Sequence, residues 1–304
     1  MGSGGKLSHD AVEVIPSGFP AYRWHMVMGF VGLSVLYFGT IAYFDVIRNF
    51  LELPPSGPKL CKNIVPEGQD CWRADLFAFE LVSGLALVWA GVIGFWEWHV
   101  QKVDRHIPLT AEGRLFGYIP AAHQLTALGT TFQIFDLFIS LLIPEQRQFL
   151  FLCHHIMAAT VSWYGLNNQY FHYYGIFFLG CSEISTIPLI FVDLAGFFPP
   201  QPGTNYHWLV NDICGPAFAI TFTTYRVILW WIVGFQMFRD IFTVLRNGLA
   251  NKLRPGRNHV LYVMMVMNLL LTGLQLYWFQ IILSEAAKVL GFTDSTSSSG
   301  QVEL

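Results

Sequence analysis

The chain has 304 residues, 54% of them hydrophobic and only 12% charged, with a formal net charge of −3. A soluble domain carries about 25% charged residues, so composition excludes a soluble globular protein and points to an all-α polytopic membrane protein. The basic residues lie in short connections and not on an extended face, which excludes nucleic acid as a partner.

Residues 1–22 are polar and contain Gly and Ser. They lack the basic start, apolar stretch and small-residue cleavage site of a signal peptide, and are expected to be a retained, disordered tail. Seven apolar runs follow, each long enough to cross a hydrocarbon core of about 30 Å. Residues 23–111 hold the first two, about Trp24 to Val46 and Ala74 to Trp98, with a Pro- and Cys-bearing loop between them. Residues 112–290 hold the other five: Tyr118 to Ile143, Gln146 to Leu166, Phe171 to Leu194, Ile213 to Phe238 and His259 to Val289. Pro199, Pro200, Pro202 and Gly203 end the fifth run and begin a loop with His207 and Trp208. Residues 291–304 are polar and expected to be disordered.

Seven spans put the two termini on opposite sides of the membrane. Lys6, Arg23, Lys102, Arg105, Arg114, Arg239, Arg246, Lys252, Arg254 and Arg257 share the N-terminal side, against Arg48, Lys59, Lys62, Arg73, Arg147 and Lys288 on the other. The positive-inside rule favours a cytosolic N-terminus and places Cys61 and Cys71 on the luminal side. These two share one short Pro- and Gly-bearing loop, and a disulfide between them is predicted for an oxidising lumen.

The polar residues within the spans carry the functional expectations, because ionisable groups at that depth are costly and mark sites. His154 and His155 stand in the fourth run, on a face continued by Ala158, Ala159 and Ser162. Pro144-Glu145 makes a tight turn before it, so Asp136 of the third run and His154 are expected on facing helices. Glu183, Thr186, Ile190 and Asp193 form a stripe on the fifth run. Arg226 in the sixth needs a partner, with Glu183, Asp136 and a lipid phosphate as candidates. Asn268 and Gln275 point inward from the seventh. Each residue also has a structural reading, as interhelical hydrogen-bond former or ion pair. Adjacent His154 and His155 point about 100° apart on a helix, so they do not readily bind one ion, and no metal is expected. Lys288 lies at a helix end, too shallow for a retinal-bearing lysine.

His154-His155, then Ser162-Trp163-Tyr164, Cys181 to Thr186, Arg226, and Asn268 to Phe279 together resemble the TLC-domain family, which includes the Lag1-type ceramide synthases and the translocating-chain-associating membrane proteins. The resemblance implies a six-helix core around a polar cavity, with His154, His155 and Glu183 on its wall as the catalytic set. Asp136, Ser162, Thr186, Arg226, Asn268 and Gln275 would contact substrate. Where ceramide synthases carry two aspartates, Glu183 and Thr186 stand here, which is more similar to the branch implicated in lipid composition, sensing or trafficking. Lipid binding, sensing or homeostasis is therefore the first expectation, in the endoplasmic reticulum or a related endomembrane. Acyl-CoA-dependent N-acylation of a sphingoid base, with acyl-CoA as co-substrate and no cofactor, is the second. A protein escort role is the third. Membrane lipids, including a sphingoid base or ceramide, are the expected partners, along with a second copy of the chain.

Overall fold

The computed structural model describes residues 19–62, 64–66, 68–103 and 107–289. The expected tail at 291–304 lies outside these, as does most of that at 1–22. Phe19 already opens the first helix, with Pro20 in its first turn, where its missing N–H leaves no bond unmade;. All regular structure among the described residues is helical, and seven helices are long and apolar enough to cross a membrane. They are Tyr22–Ala42, Ala74–Val100, Pro120–Leu142, Phe149–Asn168, His172–Phe197, Asn205–Arg246 and Asn258–Lys288.

Three runs differ in extent from the sequence reading. The first span stops at Ala42, and a separate helix, Phe44–Leu51, follows it with Phe44 buried and Phe50 exposed. The sixth begins at Asn205, inside the segment read as a loop: Thr204 caps it by accepting from the His207 N–H at 3.2 Å. The π-helical turns Leu209–Cys214 then carry the helix inward. The fifth span is broken. A helix ends at Phe178, a 3-10 turn covers Cys181–Ser185, and a second helix runs from Thr186. The break has a packing cause. Gly94 of the second span and Gly180 bring their two backbones into contact, such that a Cβ on Gly94 would lie 2.1 Å from the Cys181 nitrogen. The stripe expected from Glu183 to Asp193 is therefore divided between two helical registers.

The spans close a ring in the order two, three, four, seven, six, five, and back to two, while the first packs outside against two and three. Spans three and four pack closely, because Gly129 abuts Ser162 and Gly165 abuts Thr126, so small residues let the backbones approach;. On the face shared by the ends of spans one and three and the start of spans two and four, Cys61 and Cys71 form a disulfide, with Cα atoms 5.9 Å apart. Arg73 there joins Asp75 and Glu145, bonding each at 2.7–2.8 Å through Nη2. This ties the long loop to the turn between spans three and four. On the opposite face, Arg114 donates to Asp240 at 2.8 Å and Tyr174 donates to the same carboxylate. Arg114 is held well above its ordinary range, chiefly by that hydrogen bond to Asp240.

Candidate functional site: a polar-ended cavity inside the ring

Every member of the ring contributes to one narrow cavity of about 80 Å³. Its walls include Ala90, Gly129, Ala158, Gly175, Arg226 and Gln275, one from each ring span. On the seventh span lining runs from Met264 to Gln275, which at 1.5 Å per residue is about 16 Å;. One end is polar, with His154, Glu183, Arg226 and Gln275, and Ser162 lies about 12 Å from His154 along the fourth span;. Towards Tyr174 it turns apolar and aromatic, with Phe171, Phe178, Met237 and Met264.

The polar stretch is held in place by a network on spans five and six. Arg226 sits in a π-helical segment, Thr223–Leu229, an i→i+5 winding frequent at functional sites;. Its guanidinium donates to Glu183 at 2.7 Å, Ser185 at 2.8 Å and Thr186 at 3.1 Å. Thr186 donates in turn to Glu183 at 2.8 Å. Thus Glu183 is the partner Arg226 required. Thr186 supports that carboxylate from behind and does not line the cavity. Ser185, which sequence reasoning did not single out, completes the set; its only signal was its place in the Ser-Glu-Ile-Ser-Thr run.

The histidines separate. His154 faces the cavity, its ring 5.3 Å from that of Trp278 at the seam of spans four and seven. His155 turns outward from the cavity wall, into the contact with spans three and two. Its Nδ1 is 2.7 Å from Gln133 Oε1 and its Nε2 is 2.9 Å from Asp136 Oδ2, off the line of a good hydrogen bond. Asp136 also accepts from Ser83 at 2.7 Å. So Asp136 meets His155 and not His154, and neither His155 nor Asp136 lines the cavity. A helix periodicity gives the spacing of faces but not their absolute phase, and one residue's rotation, about 100°, exchanges the two histidines. With Gln133 presenting its oxygen, Nδ1 carries the ring hydrogen, and Nε2 is the nitrogen that faces Asp136;.

Asn268 and Gln275 both line the cavity. The Gln275 side chain is 1% exposed, yet both of its amide atoms have no partner. His154 Nδ1 and Ser162 Oγ are equally unpartnered. Four orphaned polar atoms therefore face one cavity, whereas buried polar groups are ordinarily hydrogen-bonded.

A ring of spans long and apolar enough to cross a membrane defines a multi-pass integral membrane protein. The model of the TLC domain matches residues 81–284, well over half of the sequence, and the chain belongs to that family. Neither a curated protein nor a solved structure matches it.

Proposed function

We propose that the protein binds a membrane lipid inside the ring and acts in lipid sensing or homeostasis, in the endoplasmic reticulum or a related endomembrane. The observation that carries this reading is the set of unpartnered atoms on His154 and Gln275 at the end of the cavity that holds the Arg226–Glu183 pair, with the unpartnered Ser162 Oγ further along it. A lipid's polar group satisfies them, while its chain lies between Met237, Met264 and Phe178. Met side chains are unbranched and adaptable, so the narrow slot widens without breaking an element. A soluble ligand gains nothing from that apolar half.

A second reading, acyl transfer from acyl-CoA to a sphingoid base, draws support from the unpartnered Nδ1 of His154. A neutral imidazole there can take a proton from an amine or attack a thioester. Arg226 would then hold the oxyanion. The first reading needs only the cavity and is preferred.

Gly175 supplies the test, because it lines the cavity and a Cβ there meets nothing within 4 Å. Gly175→Leu should fold, since Leu has the better helix propensity by up to about 1 kcal/mol, and should lose most of the lipid that mass spectrometry finds on the purified protein. Lipid retained at wild-type level in both Gly175→Leu and His154→Ala would reject binding in this cavity. Turnover of labelled acyl-CoA with a long-chain base, abolished in His154→Ala, would move the second reading ahead.

A further inference from the structure

We propose that Glu80 and Asp193 form a buried proton-binding site, which exchanges protons with the Asp136–His155 pair and so connects the disulfide-bearing face of the membrane to the histidines. It does not rest on the lipid reading, because it concerns a cluster outside the cavity. Glu80 also lies just outside the residues that match the family model.

The placement follows from helix geometry. Glu80, Ser83 and Gly84 share one face of the second span, being three and four residues apart. Ser83 donates to Asp136 of the third span at 2.7 Å. The Cβ position of Gly84 lies 2.7 Å from Ile190 of the fifth. Spans two and five are antiparallel, so one turn further along, Glu80 comes beside Asp193. Its place on that face is thus between Asp136 and Asp193;.

Glu80 is 8% exposed, and no hydrogen bond to its carboxyl is found among the described residues. The charged and titratable groups facing it are Asp136 from span three, with His155 of span four behind it, and Asp193 from span five. From span one, Tyr37 faces Arg73 and Asp75 instead. The neighbouring guanidinia are committed: Arg226 to Glu183, and Arg73 to Asp75 and Glu145. Asp136 is already engaged by Ser83 and faces His155 Nε2. Two further carboxylates then stand together without a countercharge, and like charges buried at close range do not both ionise. Among the described residues no group of three or more His, Cys, Asp or Glu side chains is placed to hold a metal ion. A proton is the ligand that fits.

Asp193 lies one turn from the end of its span at Phe197, on the side of the disulfide, and is the member of the pair nearer that end. The transfer balances without any co-reactant. The O–H of Glu80 breaks as its proton passes to the Asp136 carboxylate, which hands it on to His155 Nε2, 2.9 Å away, and is itself left unchanged. This leaves Glu80 anionic and His155 cationic.

Infrared spectroscopy of the full-length protein in nanodiscs tests this through the carbonyl stretch of a protonated carboxyl. The wild-type spectrum at neutral pH should contain that band, sensitive to H/D exchange. Glu80→Gln should remove it, Glu80→Asp should restore it at a shifted frequency, and Asp193→Asn should move its titration to lower pH by removing the like charge. Absence of the band in the wild type, or a band unmoved by both Glu80→Gln and Asp193→Asn, would overturn the proposal. Should Glu80→Gln fail to fold, Glu80→Asp and Asp193→Asn decide the matter alone, and an unshifted band in both would count against it.

Discussion

Arg226 shows how far one side chain organises its surroundings. It is 9% exposed and satisfies Glu183, Ser185 and Thr186 together. Removing one partner of a buried ion pair leaves the other charge uncompensated, at a cost of about 3–5 kcal/mol. Arg226→Met should therefore destabilise the protein by about that much in denaturation followed by circular dichroism in detergent, and Arg226→Met with Glu183→Leu should recover much of the loss. A single variant that melts as the wild type does would contradict the pairing. Arg226 was legible from sequence because a guanidinium within a span demands an anion. Which anion was not, since Glu183 and Asp136 both qualified until the helices were docked. Gln275 was legible as an inward amide, but its lack of a partner exists only in three dimensions.

The fifth span is the element where periodicity misleads. Its hydropathy is uninterrupted, so a pattern count extends one helix through it. What breaks it is the second span's Gly94, pressed on the backbone of Gly180 and Cys181, a contact between residues far apart in the chain. Gly94→Ala should be costly, because the atoms it would strike are backbone and cannot rotate away. We expect a loss of about 1–3 kcal/mol, seen as a lower melting temperature, whereas Gly175→Ala should cost nothing. Equal melting of the two would mean that the spans do not touch there. The loop elements carry a pH dependence of their own. Glu145 is held below its ordinary value of 4.5, first by its hydrogen bond to Arg73. The unfolded chain thus binds more protons between the folded and ordinary values, and stability rises with pH across that window. It is fully present above the ordinary value and lost as pH falls through the folded one. Glu145→Gln should flatten this part of an acid-denaturation curve, and an unchanged curve would mean that the Arg73 contact does not persist in solution.

At the scale of the whole molecule, the number of spans and the six-helix enclosure were readable from apolar run lengths and the family resemblance. The order around the ring was not, because connection lengths fix neighbours only where turns are short, as between spans three and four. The sidedness read from Lys and Arg makes its own prediction. An Asn-X-Ser/Thr acceptor built at Gln201–Gly203 should be glycosylated in microsomes, and one built around Asn251 should not. The reverse pattern would turn the molecule over. The ring order also bears on how the protein is made. Chains enter the membrane from the N-terminus onward, and the helix seated between spans four and six follows the other five spans of the ring in the sequence. Until Asn258–Lys288 emerges from the ribosome, the gap between those spans is open to the bilayer, with Arg226, Glu183 and Ser162 on its inner wall. A stop codon late in the reading frame would therefore leave a nearly complete protein with its polar interior exposed sideways to lipid, a substrate for membrane quality control.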